Sequence, residues 1–245
     1  MRFLPFLAIL AILPACSPVS GPSPSGSSAN LGADYWGDRP GPKGFSTVII
    51  DAGHGGKDSG AVSRYSGQTE KAANLDLAKR LQSELSGTFR TVMMRSDDRF
   101  IDLDDRVVFA NKYPDAILVS LHFNAGSTSR RGPETYWWRV DSHGLATRCQ
   151  QAMKSVAPYS SNAGQVRRRL RLTRNPSIPC VLLEGGYMSN PAEAAQINSA
   201  SHRAKLAKAI AGAIRAQAAN GDAGTGPRPA FIKAPPSRPT DPAGS

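Results

Sequence analysis

Short apolar runs alternate along the chain with longer stretches whose apolar residues have helical spacing. The runs at 47–50, 116–122 and 179–184 predict buried strands. Segment 69–85 has its apolar residues on one helical face, and Gly87 follows as a stop signal. Further strands are predicted at 90–95 and 133–140, and further helices at 102–112, 142–157 and 200–219. This alternation predicts an α/β fold: a three-layer sandwich with a mostly parallel or mixed central sheet and helices on both faces.

The two ends of the chain lack this pattern. Residues 1–15 contain one positive charge, an apolar run and small residues, which predicts a secretory signal. The sequence Leu-Pro-Ala-Cys ending at Cys16 resembles the lipobox of bacterial lipoproteins, so we expect lipidation of Cys16; an ordinary signal with an incidental cysteine is the alternative. Segments 16–45 and 220–245 are rich in Ser, Gly and Pro, which predicts a flexible tether and a disordered tail. The folded domain is then 46–219.

The charge of the chain narrows the choice of partners. The formal net charge is +11, which favours anionic partners such as nucleic acid, a cell-wall polymer with free carboxylates, or lipid headgroups. The densest basic run contains Arg167, Arg168 and Arg169, which are possible substrate-binding residues or simply a solvated strand or loop. Because no aromatic residues that would stack on bases interleave with this run, we expect no nucleic-acid partner.

Three of the predicted strands lead into residues that can bind a metal ion or activate water. These residues are His54, after the first strand, and His122 and Glu184, at the ends of two others. Ligands of open α/β sheets bind beyond the carboxyl ends of the strands, so residues distant in sequence can converge there. Glu70 begins the helix after the glycine-rich turn around His54, and a helix start can face the same edge.

Two histidines and one carboxylate form a recognised zinc-binding set whose fourth position holds water. A second carboxylate that does not bind the metal can take the proton of that water and pass it to a leaving amine. Taken singly, each residue has a plainer interpretation, because strand-end histidines are often packed and Glu70 suits a helix start. Glu184 is less ordinary, since a carboxylate directly after an apolar run loses hydration unless it is paired.

Five motifs in order resemble the zinc-dependent N-acetylmuramoyl-L-alanine amidases of the amidase-3 type. The resemblance extends from about Thr47 to Ala218. The motifs are VIIDAGHGGKDSGA at 48–61, the Glu of TEKAANLDLAKRL at 69–81, MMRSDDRFIDLDDRVVFAN at 93–111, LVSLHFNA at 118–125 and LLEGGYMSNPAEAAQI at 182–197.

The resemblance implies roles for particular residues. The metal ligands of the family fall on His54, Glu70 and His122, which implies one zinc ion, and its catalytic carboxylate falls on Glu184. The implied reaction is hydrolysis of the amide between N-acetylmuramic acid and L-alanine in peptidoglycan. Asp51 and Asn124 lie beside ligands and are candidates to hold them in place.

The same resemblance bears on partners and location. Some members of the family carry an inserted helix that plugs the zinc site until a partner protein removes it. The 62 positions from His122 to Glu184 are filled by predicted elements, so we expect no activator protein and a monomeric enzyme. Peptidoglycan as substrate and a lipid anchor imply a membrane-anchored protein facing the periplasm, with the outer membrane favoured if one is present. The alternatives are a zinc carboxypeptidase acting on stem peptides and an inactive wall-binding lipoprotein.

Overall fold

The computed structural model describes residues 36–158, 160 and 164–241. Their six strands are β1 (Thr47–Ala52), β2 (Arg90–Met93), β3 (Ala116–Asn124), β4 (Glu134–Trp137), β5 (Gly164–Arg167) and β6 (Cys180–Tyr187). Their α-helices are α1 (Glu70–Leu85), α2 (Leu103–Ala110), α3 (His143–Val156), α4 (Arg171–Arg174), α5 (Pro191–Asn198) and α6 (Ala200–Asn220), with a 3₁₀ turn at Val140–Ser142.

The strands form one mixed sheet in the order β2-β1-β3-β6-β4-β5. Strands β2, β1, β3 and β6 are parallel, whereas β4 runs antiparallel to β6 and parallel to β5. In β6, Glu184 pairs in register with His122 of β3 on one side and with Glu134 of β4 on the other. The carboxyl ends of the central strands therefore meet at one edge.

The two faces of the sheet are covered unequally. The larger core cluster joins the face that carries Ile50, Val119 and Leu183 to helices α1, α3 and α6. The smaller cluster joins the face that carries Ile49 and Leu118 to the short helices α2 and α4. Since side chains alternate along a strand, Asp51, Ser120, His122 and Glu184 all belong to this second, thinly covered face.

The structure confirms the predicted α/β sandwich with helices on both faces of a mixed sheet. Helix α2 begins at Leu103 because the Asp102 side chain accepts a hydrogen bond from the Asp104 N–H at 2.9 Å. Helices α4 and α5 and the 3₁₀ turn go beyond the predictions. Strand β5 lies in the segment that the sequence placed as a basic strand or loop.

The described part of the predicted tether packs on the domain. The Pro42 carbonyl accepts a hydrogen bond from Gln217 Nε2 at 3.1 Å, and the Arg39 Nε donates to Asp141 at 2.9 Å. Phe45 is buried and stacks on Phe89. The proposed signal at 1–15, Cys16 and the rest of the tether up to residue 35 lie outside the described residues.

The segment 221–241 also differs from the predicted disordered tail. It has no helix or strand, yet its backbone carbonyls accept hydrogen bonds from arginines of the domain. Arg167 donates to Ala230 at 2.6 Å, Arg169 to Pro235 at 3.2 Å, and Arg174 Nε to Ala234 at 2.8 Å. Polar bonding to the backbone thus orders a segment whose sequence lacks the apolar pattern on which the prediction relied.

We expect a chain that stops after Asn220 to be less stable by about 2 kcal/mol. It loses the hydrogen bonds from Arg167, Arg169 and Arg174, each of which contributes roughly 1 kcal/mol net, and the cost of ordering the segment offsets part of that contribution. For a domain of this size the melting temperature should fall by roughly 4–8 °C, measured by circular dichroism. A chain that stops after Asp241 is the matched control. Equal melting of the two shortened chains would contradict this prediction.

Cys149 and Cys180 are both buried and unpaired. They lie in the core clusters on opposite faces of the sheet, which explains why they do not pair. No helix within residues 36–241, as far as they are described, combines the length and the apolar character needed to cross a membrane.

Candidate metal and hydrolytic site

The turn after β1 presents His54 in an unusual backbone conformation. His54 has a φ of 61°, and it is the one residue other than glycine with a positive φ in the described part of the chain. A Cβ at Gly53 would lie 2.1 Å from the His122 ring, and one at Gly60 would lie 2.6 Å from Glu70. Glycine at these two positions therefore leaves room for the side chains to converge.

Glu70, the first residue of α1, lies between the two histidines. Its Oε1 is 2.9 Å from His122 Nδ1 and 3.1 Å from His54 Nε2. Backbone N–H groups of Ala61 and Phe123 and the Asn74 amide also donate to this carboxylate. Burial alone would raise the pKa of Glu70, but the hydrogen bonds from the two histidines hold it well below its usual range.

Together, His54, Glu70 and His122 form a group that can hold one metal ion. One ligand atom from each residue lies within 4.8 Å of the others. The two imidazole rings are edge-on to each other, with centroids 4.9 Å apart. Two imidazoles and one carboxylate are the donor set of hydrolytic zinc sites. The structure thus brings the three predicted ligands together.

Asp58 orients His54, and the sequence analysis did not identify it. Its Oδ2 lies 2.8 Å from His54 Nδ1, which leaves Nε2 directed toward Glu70. Burial lowers the pKa of His54, but the hydrogen bonds and charges of Glu70 and Asp58 raise it above its usual value. A carboxylate on the outer nitrogen of a metal-binding histidine fixes its ring orientation and tautomer.

Glu184 lies next to this group, in register with His122. Its Oε2 is buried and has no hydrogen-bond partner within the described residues. Burial raises the pKa of Glu184 well above its usual value, and the nearby charges of Glu70 and Glu134 raise it further. The side chain therefore has an available oxygen beside the proposed ligands.

Glu134 is a second carboxylate beside Glu184 that the sequence analysis did not single out. It is buried, and its Oε2 accepts hydrogen bonds from Tyr136 at 2.8 Å, Tyr187 at 3.1 Å and Asn124 at 3.0 Å. Asn124, predicted to support a ligand, thus contacts Glu134 through its amide.

Asp51 supports the His54 turn through a buried arginine. It pairs with Arg106 Nη1 and accepts a hydrogen bond from Ser120 at 2.6 Å. Arg106 Nη2 donates to the His54 carbonyl at 2.8 Å. Arg95, which is fully buried, donates to the Ala52 and Gly53 carbonyls at 2.8 Å each. The predicted strand-and-helix block at 93–111 therefore supplies both arginines that position the turn.

A cavity of about 300 Å³ opens beside His54 and His122 on the thinly covered face. Asp51 and Arg106 also line it, and its apolar wall consists of Phe100, Ile101, Leu103 and Leu172. The metal-binding group is therefore reached from this face, where an extended ligand can lie across the strand ends.

The three predicted substrate-binding arginines have different surroundings. Arg167 and Arg169 hydrogen-bond to the carbonyls of the 221–241 segment, and their role in substrate binding stays a prediction. Arg168 instead lies over the Tyr136 ring, 5.6 Å from its centroid, and its Nε is buried without a hydrogen-bond partner in the described residues.

Comparison with known proteins gives one consistent family. Residues 48–216 match the family described as N-acetylmuramoyl-L-alanine amidase. A probable cell wall amidase, LytH of Staphylococcus epidermidis, is 33% identical over 172 residues; the match covers 69% of this chain and 57% of the length of that relative.

Two solved structures are also similar. An N-acetylmuramoyl-L-alanine amidase from Clostridium difficile 630 is 32% identical with a TM-score of 0.67, and the match covers 71% of this chain and 97% of that one. The catalytic domain of the amidase CwlV from Bacillus (Paenibacillus) polymyxa var. colistinus is 35% identical with a TM-score of 0.66. This match covers 69% of this chain and 96% of that one.

Proposed function

Because the chain belongs to the N-acetylmuramoyl-L-alanine amidase family, we propose that it hydrolyses the amide between N-acetylmuramic acid and L-alanine in peptidoglycan. The observation that carries this proposal is the convergence of two histidines and Glu70 beside Glu184, whose buried oxygen has no partner within the described chain.

Zinc is the cofactor that fits this donor set best. His54, Glu70 and His122 would hold one ion, and the glycines at 53 and 60 leave the space around them that side chains would fill. Zinc supplies a Lewis acid that polarises a carbonyl and makes water acidic near neutral pH. Asp58, Arg95 and Arg106 keep the His54 ring and backbone in place, so that little reorganisation is needed before reaction.

Glu184 is the proposed general base. Its free Oε2 accepts a proton from the attacking water and then donates that proton to the departing L-alanine nitrogen. Desolvation favours the protonated form of this carboxyl, which suits the second of these steps.

The chain outside the described domain fits an exported protein. We propose that residues 1–15 are a cleaved signal, that Cys16 carries the lipid, and that the chain up to residue 35 joins the membrane to a catalytic domain facing the periplasm. Elements β4, α3, β5 and α4 lie between His122 and Glu184, so we propose that the monomer acts without an activator protein.

The test is digestion of purified sacculi by the full chain in detergent, without a partner protein. We expect release of intact stem peptides, loss of this activity after treatment with a metal chelator, and recovery on adding zinc. Mass spectrometry identifies the products, and metal content is measured on the same sample.

Other outcomes decide against the proposal. Shortened stems still attached to the glycan indicate the alternative zinc carboxypeptidase. A chain that contains zinc and binds sacculi but releases nothing is either the alternative wall-binding lipoprotein or an enzyme that requires an activator. Binding without release of products would refute the proposed independent activity, whichever of these two explanations holds.

A further inference from the structure

Two arginines lie over the rings of tyrosines that hydrogen-bond to Glu134. Arg130 lies 5.3 Å from the Tyr187 ring centroid, and Arg168 lies 5.6 Å from that of Tyr136. Within the described residues neither guanidinium makes a side-chain hydrogen bond or an ion pair, and the Arg168 Nε is buried without a partner. An unbonded buried donor is costly unless a ligand satisfies it.

The two tyrosines connect these arginines to the catalytic group. Both hydroxyls donate to Glu134 Oε2, at 2.8 Å from Tyr136 and 3.1 Å from Tyr187. Glu134 is in turn the register partner of Glu184. Each guanidinium is therefore joined to Glu134 through the one tyrosine whose ring it covers. Tyr136 and Tyr187 are buried, so the rings beneath the half-buried Arg168 and the exposed Arg130 have fixed positions.

We propose that Arg130 and Arg168 form a binding site for the carboxylates of the stem peptide. A guanidinium fork matches the geometry of a carboxylate and binds it more strongly than a neutral acceptor. This inference rests on the proposed function, in which the lactyl carboxyl of the sugar is consumed in the amide bond. The anionic groups near the scissile bond then belong to the peptide.

Arg90 provides a matched control. It is exposed and lies 5.7 Å from the Tyr113 ring centroid, at the amino-terminal edge of the sheet. Replacing it with Gln removes the same charge from the same kind of stacked arrangement, far from Glu184.

The experiment compares two soluble muramoyl-peptide fragments, one with free peptide carboxylates and one with these groups converted to amides. Binding is measured by calorimetry on the zinc-loaded full chain carrying Glu184→Gln, so that the fragment is not consumed. We expect Arg130→Gln and Arg168→Gln each to raise Kd for the carboxylate fragment about 10-fold, with little change for the amide fragment. Arg90→Gln should leave both Kd values unchanged. Arg168→Lys, which keeps the charge, should lose less affinity for the carboxylate fragment than Arg168→Gln.

Kinetics on the chain with Glu184 intact separate this proposal from the proposed function. The arginine variants should raise KM for the carboxylate fragment and leave kcat within about twofold. Three results would overturn the carboxylate site. They are equal affinity in all variants, equal losses of affinity for both fragments, and no binding of the carboxylate fragment by the chain that keeps both arginines. Arginine-dependent binding without amide cleavage would instead overturn the proposed function and leave the site standing.

Discussion

With glutamine in place of Glu184, we expect kcat for amide cleavage to fall about 10³-fold, since general acid–base catalysis contributes roughly 10²–10⁴-fold. Glutamine keeps the size of the side chain but cannot accept the proton of the attacking water. Because Glu184 is not among the three proposed ligands, zinc content per chain should be unchanged. Steady-state assays on a soluble muramoyl-peptide fragment measure kcat, and metal analysis measures the zinc content.

Glu84→Gln, on helix α1 away from the site, is the control and should retain full activity. Loss of zinc from the Glu184 variant would make Glu184 a ligand rather than a base. Activity close to that of the unsubstituted chain would remove Glu184 from the mechanism altogether.

Replacing Arg106 with Met should destabilise the chain by about 3–5 kcal/mol, because it leaves the fully buried Asp51 carboxylate without its cationic partner. Thermal unfolding should then begin roughly 10 °C lower. The same change removes the hydrogen bond to the His54 carbonyl, so zinc affinity should also fall, by roughly 10-fold or more.

Two further variants make the Arg106 prediction specific. Arg99→Met removes an arginine that is 58% exposed and paired with an equally exposed Asp97, and it should cost no more than about 1 kcal/mol. Combining Arg106→Met with Asp51→Asn removes the uncompensated charge and should recover part of the loss. A single Arg106→Met variant as stable as Arg99→Met would contradict the structural role assigned to the pair.

The sequence predicted those features that depend on local pattern and strand order. Uninterrupted apolar runs located β1, β3 and β6, and the rule that ligands gather at strand ends brought His54, His122 and Glu184 to one edge. Helix α5 carried a signal that could have been used, since the Asn190 side chain caps it and Pro191 occupies its first turn.

Other features have no local signal. Arg95 follows β2 and Arg106 lies on α2, and only the pairing of β2 with β1 and the packing of α2 against the sheet bring them to the His54 turn. Glu134 becomes part of the site because β4 runs antiparallel to β6, a pairing that no short motif specifies. The segment 221–241 was unpredictable for the same reason, since its order comes from distant arginines.

The position of β6 in the middle of the sheet determines when the proposed site is completed. The chain emerges from the ribosome amino-terminal end first, and His54, Glu70 and His122 are all synthesised before Cys180–Tyr187 inserts between β3 and β4. All three proposed ligands thus precede, along the chain, the side chain proposed to move the proton. The proposed hydrolytic group is therefore incomplete until β6 takes its place between β3 and β4.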